Sequence, residues 1–274
     1  MHDLRTPPHD LPRVDWVFHL AGGYAGAGYK DLQESDLVPA RNVLDWGSAA
    51  GVRNWVLASA AEVYGAVERI ATEQTATEPV IPYGRIKLGV ERLFTDFEAR
   101  APGSRVVILR IGEVYGRTGR LVEELRRRLN TGWCSWFGSG QVRVSFVHVD
   151  DVARAFVAAA NGASGGVNIW NVADDEPATW RDFLRSASSL LGRRPPVALP
   201  LTLARLYAAG SCAADKMAGR PPVLTTHTVR LLTTPKPLSN AKLKREAGFG
   251  LLYPDYRDGL KEVFRAVPHD AQDG

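Results

Sequence analysis

The stretch PYGRIKLGVERL, Pro82–Leu93, puts a tyrosine and a lysine four residues apart in a segment patterned as a helix. Positions i and i+4 lie on one helix face, one turn apart. An ammonium at Lys87 favours phenolate and so lowers the pKa of a neighbouring phenol at Tyr83. A phenol tuned in this way exchanges a proton with a substrate oxygen near neutral pH. Alone, the spacing carries little weight, because Tyr-x-x-x-Lys arises by chance on many helices.

The elements that would position this pair are legible as apolar runs. Val14–Gly23 reads as a buried strand ending in glycines. A helix over Asp31–Ala50 follows, with Leu32, Leu37, Val43 and Leu44 at its apolar positions. Val52–Ala60 is a second strand, and a polar loop leads to the helix that starts near Tyr83 and ends before Ala101–Ser104. Arg105–Gly112, Gln141–Val149 and Val167–Ala173 read as a third, fourth and fifth strand. Asp150 and Asp151 place acid at the start of a helix over Val152–Ala160. Continuously apolar strands alternating with helices predict an α/β fold with a parallel sheet covered on both faces. After Asp174 the pattern turns mostly helical with proline breaks, which predicts a smaller substrate lobe at the carboxyl ends of the strands. The expected division is a Rossmann-type core over residues 1–116 and 141–174, and a lobe over 117–140 and 175–274.

The surroundings of Tyr83 add weight. VFHLAGG (Val17–Gly23), LASAAEVYG (Leu57–Gly65), LRIGEVYG (Leu109–Gly116) and FVHVDDVA (Phe146–Ala153) flank it in order. This ordered set resembles the extended short-chain dehydrogenase/reductase family, the NAD-dependent epimerase/dehydratases. The resemblance runs down to SNAKLKREAGF, Ser239–Phe249. It implies Tyr83 as catalytic acid/base and Lys87 as the partner that tunes it and holds the nicotinamide ribose. It implies that Leu20, Ala21 and Gly22 form a turn against NAD or NADP, with Leu57, Ala58, Arg110 and Gly112 also on the cofactor side. Ser59 would end its strand below the nicotinamide. Glu62 matches a glutamate that some family dehydratases use as a base; its other reading is a solvated loop carboxylate.

Several positions depart from the family pattern. Ala60 stands where a Ser or Thr normally bonds the substrate oxygen, and losing such a donor costs a few kcal/mol of transition-state stabilisation. Ser59, next door, substitutes only if the strand bulges, because strand neighbours point to opposite faces. Glu113 replaces an asparagine and Val144 an arginine, both of which help sugar-nucleotide members hold a diphosphate. A carboxylate at Glu113 repels phosphate unless it is protonated or turned away. A nucleotide-linked substrate is therefore disfavoured. The tail ALPLTLARLYAAG…GRPPVLTTHTVRLL looks closer to the hydroxysteroid dehydrogenase-like branch, and a lobe rich in Leu, Ala and Trp suits either a less polar ligand or a plain apolar core.

The front of the chain departs most. No G-x-x-G-x-x-G turn precedes Val14, and HDLRTP (His2–Pro7) looks like the turn whose aspartate, here Asp3, faces the adenine. On this match Met1 falls inside the fold and a first βαβ unit, about 30 residues or more, is absent. The strand over Val14–His19 is then an apolar edge. A start set too late, a second complementing chain and a relative that has lost dinucleotide binding all fit this.

Composition bounds the rest. A chain of 274 residues, 45% hydrophobic and 23% charged, is ordinary for a soluble globular protein. Its net charge of +4 is spread out, and the densest run, Arg126–Asn130, reads as a solvated helix face, so nucleic acid is not an expected partner. Cys134 and Cys212 form neither a disulfide framework nor a metal cluster, and read as free thiols in a cytoplasmic protein. No apolar run approaches membrane-span length. The expected function is NAD(P)-dependent hydride transfer at a carbinol or carbonyl carbon of a small-molecule substrate, by a homodimer. The alternative is a non-catalytic binding or scaffold relative on the same fold.

Overall fold

The structure, a computed structural model, describes residues 3–6, 14–23, 25–132, 134–217 and 225–265, without the side chains of 211–217. His2 and Pro7 of the first motif, the proline break at 219–224 and the Cys212 thiol lie outside the described residues. The elements run β1 (Trp16–His19), α1 (Tyr29–Leu32), a π-turn (Gln33–Leu37), α2 (Val38–Ala49), β2 (Asn54–Ala60) and a 3-10 turn (Ala61–Tyr64). Then come α3 (Pro82–Arg100), β3 (Arg105–Ile111), β4 (Glu113–Tyr115), α4 (Arg120–Thr131), β5 (Ser135–Phe137), β6 (Arg143–Val144), β7 (Phe146–His148) and α5 (Val149–Gly162). The chain continues with β8 (Gly166–Val172), β9 (Ala178–Thr179), α6 (Trp180–Leu190), β10 (Val197–Leu199), α7 (Leu201–Met217), α8 (Thr226–Leu232), α9 (Ala241–Ala247) and α10 (Tyr256–Phe264).

The main sheet is parallel, in the order β1-β2-β3-β8. The strict alternation of strand side chains covers both its faces. Trp55 and Leu57 of β2 and Val106 and Ile108 of β3 meet Val90, Phe94 and Phe97 of α3 on one face. Val56, Val107, Leu109 and Ile111 meet Ala155, Phe156 and Ala159 of α5 on the other. A strand buried on both sides must be apolar at every position, which is why these runs do not alternate in sequence. A separate cluster around Phe146, Trp180, Phe183 and Leu260 fills the space under α4, α6 and α10.

One expected strand is corrected. Gln141–Val149 is not a single strand and takes no place in the main sheet. It divides at Ser145 into β6, antiparallel to β9, and β7, parallel to β4. The Ser145 carbonyl accepts from Glu113 N at 2.8 Å, and its hydroxyl accepts from Leu238 N at 2.8 Å. Those two bonds turn the backbone, and β8 becomes the fourth strand. The expected Asp31–Ala50 helix is also interrupted, by the π-turn at Gln33–Leu37. Cys134 is buried, and burial pushes its thiol up to about 11. Among the described residues no helix is long and apolar enough to cross a membrane.

Helix α3 carries the pair of interest. Ile81 is extended at its N-cap and Pro82 takes the first helical position, where a missing N–H costs nothing. Its third residue, Gly84, lies so close to the 3-10 turn that a Cβ would sit 2.3 Å from the Glu62 carbonyl oxygen. Gly89, on the same helix, would bring its Cβ no closer than 3.6 Å to Leu37. Gly84→Ala therefore destabilises the protein by about 1–3 kcal/mol, the usual cost of overpacking. Gly89→Ala stabilises it by about 0.5–1 kcal/mol, the mid-helix glycine penalty. Urea unfolding of both variants checks the pair, and two shifts of the same sign would contradict this packing.

Candidate active site

Tyr83 lies in the first turn of α3, and Lys87 one turn on brings its Nζ 5.5 Å from the Tyr83 ring centre. The two share a face, as the spacing predicts. Lys87 is held from the other side by Asp36, with Nζ 3.1 Å from a carboxylate that is almost fully buried. Asp36 stands in the π-turn, where the extra residue per turn aims it inward. Its other oxygen accepts from Gly23 N at 2.6 Å and from the Ser35 hydroxyl at 2.7 Å. Asp36 thus ties the turn after β1 to α3. A Cβ on Gly22 would lie 2.8 Å from Lys87 Nζ and 2.9 Å from Asp36 Oδ1, so the turn runs close against the ion pair. Ala21 is part-buried and Leu20 is 57% exposed at the end of β1. The turn thus leaves an open, partly apolar ledge beside Lys87 and Tyr83, with an ammonium and a phenol at its edge. Those donors suit the ribose and nicotinamide end of a dinucleotide.

On the other side, Glu62 from the 3-10 turn and Glu113 at the start of β4 converge on Lys236. The Lys236 Nζ is 2.5 Å from Glu62 Oε1 and 2.7 Å from Glu113 Oε1. Glu62 is therefore not a solvated loop carboxylate but shares the Lys236 ammonium with Glu113. Sequence reading missed both Asp36 and Lys236. The only local sign of Lys236 is its place between Pro235 and Pro237, which fix an extended strap. The strap accepts from Val67 N through the Pro235 carbonyl at 2.9 Å and from Ala71 N through the Pro237 carbonyl at 2.8 Å.

These carboxylates set the state of Tyr83. Burial pushes its phenol well above the ordinary 10, and Glu62, Asp36 and Glu113 push it further. The expectation that Lys87 lowers the phenol pKa is overturned: Asp36 neutralises the ammonium, and the surrounding charge is negative. Tyr83 is held as the neutral phenol. Burial likewise raises Glu113 above the usual carboxylate range, Lys236 pulling it down and Glu62 up. Burial opposes the charge on Lys236, but Glu113 and Glu62 outweigh it and hold the ammonium protonated.

Other expected residues are committed elsewhere. The Ser59 hydroxyl donates to Glu91 at 2.5 Å, and Arg110 grips the same carboxylate at 3.0 and 2.7 Å while lying 4.8 Å from the Tyr64 ring centre. All three side chains are buried in a structural network, which corrects the catalytic role expected of Ser59 and the cofactor role of Arg110. Leu57 belongs to the core beneath α3, and Ala58, part-buried, packs on the α5 side. Val144 is fully buried in the cluster around Phe146 and Trp180. Ala60 is buried at the end of β2, and its methyl supplies no hydrogen bond. Gly112 is small because a Cβ would meet the Ser145 carbonyl at 2.5 Å. Asp3 is bound to Arg5 at 2.6 Å on the surface.

Comparison with known proteins identifies the family and the fold. The model of the NAD dependent epimerase/dehydratase family matches residues 3–173. Epimerase family protein Mb2239 of Mycobacterium bovis is 28% identical over 212 residues, 72% of this chain and 67% of that protein. In structure, DesIV, a dTDP-glucose 4,6-dehydratase from Streptomyces venezuelae solved with NAD and TYD, aligns with a TM-score of 0.75 at 22% identity, over 96% of this chain and 77% of its own. Human epimerase family protein SDR39U1, solved with NADPH, aligns with a TM-score of 0.75 at 20% identity, over 94% and 84%. At these identities the two structures establish the shared fold.

His19 gives this site a pH signature. It is 4% exposed at the end of β1, stacked on Phe94, and burial followed by Lys87 lowers it to about 4, against a smaller opposing pull from Asp36. The unfolded chain, with His near 6.5, binds the proton more readily. Stability is therefore lost as pH falls from about 6.5 toward about 4. Between about pH 7.5 and about pH 5 the wild type loses about 2 kcal/mol more than His19→Gln. Denaturant unfolding at the two pH values measures the difference, and parallel losses would show that His19 does not titrate this way.

Proposed function

The chain belongs to the NAD-dependent epimerase/dehydratase family, and from that premise we propose that it is an NAD(P)-dependent oxidoreductase or epimerase acting on a small carbonyl or carbinol substrate. The observation that carries this reading is Tyr83 and Lys87 on one face of α3, with Lys87 fixed by Asp36 against the Leu20–Gly23 turn. Lys87 and that turn would hold the ribose and nicotinamide of the cofactor. The bound nicotinamide supplies or accepts a hydride. Tyr83, kept neutral by burial and by three nearby carboxylates, holds a proton at its phenol oxygen and donates it to a carbonyl oxygen. Asp36 fixes the Lys87 ammonium, and Glu62 lies within electrostatic reach of the phenol. The expected homodimer would use α2 and α3, and sedimentation of the purified chain tests it.

A second reading, a non-catalytic binding relative, is favoured by one pair of observations. Ala60 carries no hydroxyl, and the Ser59 hydroxyl is held by Glu91. No replacement donor for the substrate oxygen comes from these two positions.

Calorimetric titration with NAD(H) and NADP(H) separates the two readings. The enzyme reading expects micromolar binding and NAD(P)H-dependent reduction of small ketones. Tyr83→Phe then lowers kcat/KM about 10²–10⁴-fold, the usual worth of a positioned general acid, with the unfolding midpoint unchanged. Lys87→Met weakens cofactor binding and turnover together. Absence of binding at millimolar cofactor, or full turnover by Tyr83→Phe, rejects the enzyme reading.

A further inference from the structure

The two ammonium groups around Tyr83 are both matched by carboxylates. Lys87 is paired with Asp36, and Lys236 lies between Glu62 and Glu113. The matching is not symmetrical about the site. Lys236 is 2% exposed, whereas Glu62 and Glu113 retain 10% and 19% of their side-chain surface. The glutamate side chains are therefore the more accessible part of the cluster and the ammonium the sealed part, with Glu113 Oε1 buried against Lys236. A ligand approaching Tyr83 reaches no uncompensated positive charge on these lysines.

The placement of Lys236 is rigid. Its neighbours Pro235 and Pro237 fix the backbone, and Lys236 N donates to the Arg143 carbonyl at 2.9 Å. Its Nζ also donates to the Leu231 carbonyl at 3.4 Å. The three ammonium donors are thus shared among Glu62, Glu113 and the Leu231 carbonyl. Fold stability does not call for such a cluster, because buried ion pairs are often replaceable by apolar side chains of similar volume without loss. Two partly open carboxylates braced from behind by one buried ammonium have a clearer use in recognition. Ionised carboxylates only accept hydrogen bonds, so their complement is a donor.

We propose that Lys236, by bracing Glu62 and Glu113 beside Tyr83, is a positioning residue that makes this site select substrates with hydroxyl or ammonium groups near the reacting carbon and exclude those with carboxylate or phosphate there. This deepens the proposed function and rests on Tyr83 lying at the reacting end. The selectivity rests on Glu113 carrying its charge, which the Lys236 ammonium 2.7 Å away favours. Ionised, it repels an anion directly.

The test uses the full chain with saturating NADPH or NADH and three matched ketones: 4-hydroxycyclohexanone, 4-aminocyclohexanone and 4-oxocyclohexanecarboxylate. Binding is read by saturation-transfer NMR competition and reduction by loss of NAD(P)H absorbance. The hydroxy and ammonium ketones are expected to bind at least 10-fold more tightly than the carboxylate. Glu113→Gln removes one acceptor charge and should narrow that ratio at least 3-fold. Lys236→Arg should keep the wild-type ratio, since a guanidinium can brace both carboxylates, while Lys236→Met should change it. If Lys236→Met does not fold, Glu113→Gln and Lys236→Arg still decide the matter. Equal or tighter binding of the carboxylate ketone, an unchanged ratio in Glu113→Gln, or no binding of any ketone overturns the proposal. The binding order without any reduction would leave the selectivity standing and reject the enzyme reading. Reduction of all three at equal kcat/KM would do the reverse.

Discussion

The site hangs on the buried pair between Lys87 and Asp36. Two charges are taken out of water at a separation of 3.1 Å, and each is left dependent on the other. Removing one partner from a buried pair typically costs about 3–5 kcal/mol, because the survivor is stranded. Here the pair also sets geometry. Asp36 accepts from the backbone of Gly23 and ends in the π-turn, while Lys87 rides on α3. One ion pair therefore fixes the turn after β1, the helix before β2 and the helix after it relative to one another. Tyr83, one turn from Lys87, inherits its position from that junction.

The second constraint is close approach of backbone. Gly22, Gly84 and Gly112 each stand where a Cβ would fall inside the contact distance of a neighbour: the Lys87 ammonium, the Glu62 carbonyl and the Ser145 carbonyl. These three contacts bring the ends of β1, β2 and β3 into one small region. The same region receives Glu62 and Glu113, so the electrostatics of the phenol follow from the packing of the sheet ends. A neutral tyrosine is the consequence, since burial and three carboxylates outweigh one neutralised lysine.

Much of this was legible in the sequence, and the gaps have physical reasons. The apolar runs that became β1, β2, β3 and β8 announce themselves, because strands covered on both faces must be apolar throughout. Tyr83 and Lys87 were legible because their relation is local, one helical turn. Ser145 was not, because its neighbours are apolar and only its bonds to Glu113 and Leu238 bend the chain there. Asp36 was hidden by the π-turn, which shifts a residue from the face that regular helical spacing assigns it. Lys236 was hidden by distance, its partner Glu62 being 174 residues away in sequence. Ser59 and Arg110 were misread because motif position alone does not reveal that Glu91, on the next helix, claims both.

That misreading separates two buried networks of similar composition. Ser59, Glu91 and Arg110, with Tyr64 and Asn171 beyond them, are sealed: the Arg110 and Glu91 side chains are each 5% exposed, and their donors and acceptors are turned on one another. A network closed in this way rigidifies the join between β2, β3 and α3, and presents nothing to a ligand. Glu62, Glu113 and Lys236 are buried unevenly, the glutamates keeping 10% and 19% of their side-chain surface and the lysine 2%. Uneven burial leaves part of this cluster within reach of a ligand. The distinction between holding and recognising thus lies in which atoms of a charged cluster remain in reach, a property that emerges only when chain segments more than a hundred residues apart are brought together.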